Sequence, residues 1–107
     1  MLKIVLLSAW VQFEADLSRK FVPLAKEDQN FIHFSEEHNI KKTLSKFFNN
    51  QEVVILSIDR SKVIGDLRYE TNKPGGDKYF HLYHDENGQR GIPREAVLKK
   101  EQRLGFV

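Results

Sequence analysis

Apolar and polar residues alternate over residues 31–35, and this pattern predicts a strand with one chemically capable face. Successive side chains of a strand point to opposite faces of its sheet. Ile32 and Phe34 are therefore expected on the apolar face. His33 and Ser35 would share the opposite, polar face, and the rest of the chain is expected to build a site around this strand.

The same alternation recurs in two later segments, residues 67–71 and 79–83. Each segment predicts a strand with two polar side chains two residues apart and an apolar residue between them. The polar members are Arg68 and Glu70 in the first segment, and His81 and Tyr83 in the second. If the three strands share a sheet and their polar faces agree, one cleft collects all of these side chains. That cleft is the predicted site.

Three further segments predict strands. Continuous apolar runs predict buried strands over residues 2–6 and 53–58, and residues 96–100 predict a last strand. The run at residues 53–58 lacks alternation, which favours a central position with both faces covered.

Two segments have the spacing of an amphipathic helix. The first, over residues 8–17, carries Trp10, Phe13 and Leu17 on one face. The second follows residue 36, and Ser35 is placed to be its N-cap. Early helices and late hairpins favour a mostly antiparallel α+β fold with two main helices over a doubly wound parallel sheet. The charged segment 26–29 between the two helices is expected to be exposed.

Composition narrows the class of protein. The 107 residues predict a single domain spanning residues 1–107. The net charge of +2 argues against a nucleic-acid partner. The absence of cysteine excludes disulfides and cysteine-ligated zinc. The apolar run at residues 4–7 is too short for a signal peptide, and no run is long enough to span a bilayer. We therefore expect a cytoplasmic protein without membrane contact.

Each polar side chain of the predicted site has a functional and a structural interpretation. His33 could carry a proton or donate to a phosphate or sugar hydroxyl, or it could be a buried, hydrogen-bonded histidine. Ser35 could bind a ligand or cap the second helix. The Arg68 guanidinium suits a phosphate, and the Glu70 carboxylate could stabilise positive charge at a sugar carbon. Alternatively, the two form a surface ion pair.

The predicted strand at residues 79–83 favours an aromatic contact with a ligand over a metal site. Tyr83 could stack on a base or bond a ribose, and its alternative is an amphipathic residue at the edge of the core. His81 and His84 lie on opposite faces of a strand, so the spacing does not favour a metal. We predict no metal ligand here.

The motifs, in their fixed order, resemble the small bacterial proteins grouped as domain of unknown function 952. The segments that carry the resemblance are Lys3-Ile4-Val5, Trp10, Phe31-Ile32-His33-Phe34-Ser35, residues 53–59, Arg68-Tyr69-Glu70, Gly75-Gly76 and His81-Leu82-Tyr83. The resemblance implies an ADP-ribosyltransferase-like fold, in which a split antiparallel sheet with peripheral helices surrounds an NAD-binding cleft. Two departures from the family pattern are Asn30 in place of glycine and the longer segment 84–91, which could be a lid or could block the cleft.

Together, the residues and the resemblance predict a protein that binds or processes a nucleotide such as NAD or ADP-ribose. Glu70 and His33 are the candidate catalytic residues. The candidate ligand-binding residues are Ser35, Arg68, His81 and Tyr83. NAD is the one cofactor that the resemblance implies. The alternative is a non-catalytic metabolite-binding or protein-interaction module in which these residues are structural, and whether the protein is an enzyme stays open.

Overall fold

A computed structural model describes residues 1–104. The elements in chain order are β1 (Leu2–Leu6), α1 (Leu7–Ala15), β2 (Ile32–His33), α2 (Ile40–Phe47), β3 (Glu52–Ile58), β4 (Asp66–Thr71), β5 (Lys78–Tyr83) and β6 (Val97–Leu104). Short 3₁₀ turns lie at Lys26–Asp28, Arg60–Lys62 and Arg94–Ala96. The strands form two antiparallel three-stranded sheets, so the predicted α+β class is confirmed.

The first sheet has the order β1-β3-β6, and β3 is its central strand, as predicted. Its two faces pack against different layers. Val54 and Leu56 point towards the core that contains α1 and the second sheet. Val53 and Ile55 point the other way, against α2. This is why the run shows no alternation, since both faces of a covered strand must be apolar.

The second sheet has the order β2-β5-β4 and keeps one apolar face. Ile32 pairs with Leu82, and both are fully buried. The strand predicted over residues 31–35 is only two residues long here, because the chain then leaves this sheet. Ser35 instead exchanges backbone hydrogen bonds with Leu2 of the first sheet. The two sheets are joined at this point.

Both helices are shorter than predicted. The first ends at Ala15, and Leu17 lies outside it with 82% of its surface exposed. The second begins at Ile40 with Asn39 as its N-cap residue, so Ser35 is not its cap. Among residues 1–104, no helix combines the length and the hydrophobicity needed to cross a membrane.

Candidate functional site

Five of the six predicted side chains lie together on the polar face of the second sheet. Strand register places His33 opposite His81 and places His81 opposite Arg68, so the three form one row across the sheet. Residues directly opposite each other in a sheet share a face. Glu70 and Tyr83 lie on the same face, two residues from this row on β4 and β5 respectively. We call His33, Arg68, Glu70, His81 and Tyr83 the polar cluster.

Glu70 is the centre of the polar cluster. Its Oε2 accepts a hydrogen bond from the Tyr83 hydroxyl and lies 3.2 Å from Nδ1 of His81. The Tyr83 bond, and then the His81 bond, lower the pKa of Glu70 from its ordinary value. About a third of this side chain is exposed, and no described residue donates to its other oxygen. The site therefore presents an ionised carboxylate with one oxygen free to act on a ligand.

His81 is buried, with 1% of its surface exposed. Burial lowers the pKa of His81, and the bond to Glu70 opposes this only in part. The imidazole is therefore neutral at neutral pH. Because an ionised carboxylate only accepts hydrogen bonds, Nδ1 carries the proton. Nε2 is then a buried acceptor without a donor among residues 1–104.

Arg68 is held at the exposed edge of the polar cluster. Its Nε and Nη2 each lie 2.9 Å from Oδ2 of Asp66. Its guanidinium carbon lies 4.3 Å from the centre of the Tyr83 ring, a cation–π distance. The hydrogen bond that Arg68 donates to Asp66 raises the pKa of Arg68 above its ordinary value. A fixed cation thus stands beside the Glu70 carboxylate.

Phe31 covers the polar cluster, and the sequence interpretation missed it. Its ring centre lies 4.2 Å from that of His81, 4.6 Å from His33 and 5.1 Å from Tyr83. The alternation that placed His33 on the polar face also places Phe31 there, so the signal was present. An aromatic residue on an otherwise polar face indicates a contact with the polar side chains, and this would have identified Phe31.

A buried ion pair between Lys3 and Asp28 lies behind His33. Asp28 belongs to the segment predicted to be exposed, yet only 2% of its surface is accessible. Its Oδ1 accepts hydrogen bonds from the backbone N–H of His33 at 3.0 Å and from His33 Nδ1 at 3.1 Å. Its Oδ2 accepts from the Lys3 ammonium at 2.9 Å and from the Ala25 N–H at 3.0 Å. A buried carboxylate needs such partners, which a surface prediction from local charge ignores.

Both members of the ion pair have lowered pKa values, for different reasons. Burial by itself would raise the pKa of Asp28, but the hydrogen bonds from His33 and the charge of Lys3 hold it well below its ordinary range. Burial lowers the pKa of Lys3, and Asp28 offsets part of that effect. The pair orients the His33 ring, whose side chain is still 40% exposed. His33 therefore keeps Nε2 for a ligand.

A cavity of about 340 Å³ adjoins the polar cluster and shares only His33 with it. It lies between α2, the turn that joins β4 to β5, and the Lys26–Asp28 turn. Its other lining residues are Lys3, Ile4, Ala25, Glu27, Asp28, Phe34, Ser35, Lys42, Thr43, Lys46, Phe47, Phe48, Asn72, Lys73, Gly76, Asp77 and Tyr79. Ser35 is thus brought to the cavity, where its hydroxyl donates to the Thr43 hydroxyl at 3.4 Å. Of the six predicted residues, five thus lie in the polar cluster and Ser35 lies in the adjoining cavity.

The segment 84–91, which follows β5, contains a hydrogen-bonded turn. The Asp85 carboxylate accepts hydrogen bonds from the backbone N–H groups of Asn87 and Gln89, both at 2.9 Å. Arg90 reaches the carbonyl of Gln29 at 3.5 Å.

Within residues 1–104, no three histidine or acidic side chains are grouped closely enough to hold a metal ion.

Three comparisons with known proteins bear on this arrangement. A family model described as "Protein of unknown function (DUF952)" matches residues 4–100. No curated protein matches the chain significantly. The chain is similar to the crystal structures of protein CC0527 from Caulobacter crescentus and of its double mutant, each with a TM-score of 0.72 and 24% identity over 94% of this chain and 82% of that chain. A likeness at this identity shows the fold alone.

Proposed function

The chain belongs to the DUF952 family, and from that premise we propose that it binds a nucleotide such as NAD or ADP-ribose over the polar cluster, with Glu70 acting on the sugar. One observation carries the proposal. Tyr83 and His81 hold a single oxygen of the Glu70 carboxylate and leave the other oxygen uncommitted. The same two bonds keep the carboxylate ionised. The likeness to ADP-ribosyltransferases stays a prediction from the sequence.

An ionised carboxylate fixed in this way suits the cleavage of a bond between a sugar and a base. Positive charge develops on the sugar carbon as that bond breaks, and a nearby negative oxygen stabilises it. The nicotinamide of NAD would leave with the bonding electron pair. Water would then add to the sugar carbon and release a proton, which gives ADP-ribose and nicotinamide.

The neighbours of Glu70 offer contacts for the rest of a nucleotide. The Arg68 guanidinium uses two of its nitrogens on Asp66 and keeps Nη1 for a phosphate oxygen. Phe31 and Tyr83 present aromatic rings on which a base can stack. His33 would bond a ribose hydroxyl through Nε2.

The test is an NMR titration of labelled protein with NAD and, separately, with ADP-ribose. We expect amide shifts at residues 31–33, 68–70 and 81–83, together with release of nicotinamide from NAD. Glu70→Gln should keep the shifts and lose the release. Glu52→Gln, a matched change at the exposed first residue of β3, should keep both. Absence of shifts at millimolar ligand would refute nucleotide binding, and unchanged release in Glu70→Gln would refute the role of Glu70.

A second candidate is a module without catalysis, which binds a metabolite or another protein. The observation that favours it is that Arg68, Glu70 and His81 already have intramolecular partners. Ligand shifts without nicotinamide release over a long incubation would select a binding module. No ligand shifts, together with a lower melting temperature in Glu70→Ala, would select a structural role for the cluster.

The location and source of the protein are proposals of the same kind. The cytoplasmic location rests on the cysteine-free composition, which fits a reducing compartment. The bacterial source rests on the family resemblance. Fractionation of cells that express the tagged chain would test the location.

A further inference from the structure

We propose that the cavity beside the polar cluster is a second binding site, and that its ligand is a small molecule with an aromatic ring and one negatively charged group. The cavity volume of about 340 Å³ is at the lower end for small-molecule sites, which range from about 300 to 1,000 Å³. A whole dinucleotide needs more room. The cavity adjoins the nucleotide site and shares only His33 with it, and the inference does not depend on nucleotide binding.

Lys3 gives the inner wall a donor for an anion. Its ammonium group is almost fully buried and has three N–H groups. Two of them are used, on Asp28 at 2.9 Å and on the carbonyl of His33 at 3.0 Å. The third has no acceptor among residues 1–104. A buried donor without a partner costs free energy, which a ligand oxygen would recover.

Asp28 is closed to a cation, although it lines the same wall. Its two oxygens already accept four hydrogen bonds, from His33 twice, from Lys3 and from Ala25. Four is about the full capacity of a carboxylate. The inner wall therefore offers an anion the free N–H of Lys3, whereas the Asp28 carboxylate has no free acceptor for a cation. The wall thus favours anions over cations.

The charges at the rim favour an anion as well. Lys42 lies 3.0 Å from Asp77, and these two charges offset each other. Lys46 and Lys73 have no carboxylate partner among residues 1–104, and Glu27 is the acidic lining residue without a partner there. The rim keeps a surplus of positive charge, which attracts an anion and raises its association rate.

Aromatic side chains make up most of the apolar lining, together with Ile4 and Ala25. Phe34 belongs to the buried core, while Phe48 is partly buried and Phe47 is 56% exposed on α2. Tyr79 lies across the cavity on β5. Aromatic walls favour a flat ring in offset or edge-on contact. Ring and charge together define the ligand class.

The test uses the complete chain, isotope-labelled, and three probes of nearly equal shape. Phenylacetate carries the ring and a negative charge, phenylacetamide is neutral, and phenethylammonium is positive. We expect saturable amide shifts with phenylacetate at residues 42–48 and 72–77. Phenylacetamide and phenethylammonium should bind at least about tenfold more weakly, and inorganic phosphate, which lacks the ring, should not saturate.

Variants separate a built site from general attraction to a basic surface. Lys3→Met would leave Asp28 buried without its partner and is expected to unfold, so the rim is changed instead. The variant Lys46→Met with Lys73→Met should weaken phenylacetate binding at least about fivefold. The control Lys41→Met with Lys78→Met removes the same charge from α2 and β5 outside the cavity lining, and it should leave binding unchanged.

Three outcomes would overturn the proposal. They are no saturable shift at residues 42–48 and 72–77, equal affinity for the three phenyl probes, or equal loss in the two double variants. Shifts at residues 68–70 and 81–83 report on the nucleotide proposal instead. His33 belongs to both places, so shifts at residues 31–33 do not discriminate between the two proposals. Shifts at residues 68–70 and 81–83 against shifts at residues 42–48 and 72–77 do, so failure of one proposal is distinguishable from failure of the other.

Discussion

The Lys3 ammonium lies 2.9 Å from the Asp28 carboxylate, and both side chains are almost completely buried. Lys3 belongs to β1 of the first sheet, and Asp28 binds the backbone and ring of His33 in the second sheet. One ion pair thus connects the two sheets, orients a residue of the polar cluster and forms the inner wall of the cavity. The stability of the fold and the geometry of both candidate sites depend on it.

Replacing Asp28 is expected to destabilise the protein strongly. In Asp28→Asn the Lys3 charge stays buried without a counter-charge, and the amide group places N–H donors against the donors of Lys3 and Ala25. Loss of one member of a buried ion pair costs about 3–5 kcal/mol. Urea denaturation measures the free energy of unfolding. The control Asp77→Asn breaks the exposed pair with Lys42 and should cost less than about 1 kcal/mol; equal losses in the two variants would contradict this prediction.

The Asp28 pair also predicts how stability depends on pH. The pKa of Asp28 is lowered in the folded state, so the unfolded state binds more protons once the pH falls below the ordinary aspartate value of about 3.9. Its contribution is complete above that value and is lost progressively as the pH falls from there towards the lower pKa of the folded state. The difference in unfolding free energy between wild type and Asp28→Asn should therefore shrink between pH values of about 5 and 2. A constant difference over this range would argue against an ionised Asp28.

Tyr83→Phe should raise the pKa of Glu70. The hydrogen bond from Tyr83 is the largest cause of the lowered pKa of this carboxyl group, and phenylalanine has no hydroxyl. The measurement is a ¹³C NMR titration of the Glu70 side-chain carboxyl. Tyr79→Phe is the matched control, because Tyr79 lies directly opposite Glu70 in the strand register and donates it no hydrogen bond among the described residues. A shift of similar size in the control would point to a general effect of the aromatic rings.

Gly65→Ala should destabilise the chain more than Gly75→Ala. Gly65 has φ +137°, and an added Cβ would lie 2.6 Å from the carbonyl oxygen of Tyr83. Conformational strain and the backbone clash together predict a loss of about 2–4 kcal/mol. Gly75 has φ +75° with no atom near the added Cβ, so about 1 kcal/mol of strain is expected there. Thermal unfolding of both variants measures the difference, and the reverse order would show that Gly65 has room to move.

The alternation of apolar and polar residues determined most of the polar cluster. Register in an antiparallel pair is specified wherever one face of the sheet is buried, so Ile32 opposite Leu82 brings His33 opposite His81. Glu70, Arg68 and Tyr83 follow from the same period of two. The central position of β3 was likewise predicted from the apolar run at residues 53–58, which lacks alternation, and residues 53–56 are indeed buried.

The helix ends and the exact extent of β2 could not be predicted from the sequence. The spacing of Leu17 continues the apolar face of α1, yet the helix ends at Ala15 and Leu17 faces solvent. Ser35 has the sequence context of an N-cap, but its backbone bonds to Leu2 carry the chain into the first sheet. At Ser35 a long-range contact outweighs a local preference, and no local pattern reports such a contact.

The sequence by itself determined the α+β class, the central strand and the polar face on which five capable side chains meet, because these follow from periodicity along the chain. The tertiary structure decided the Lys3–Asp28 pair, the cavity and the separation of Ser35 from the polar cluster. The ion pair joins two residues that are 25 positions apart in the chain, at a distance of 2.9 Å. A lysine within an apolar strand shows that a partner must exist, since burying an unpaired charge is too costly, but only the folded chain brings Asp28 to it.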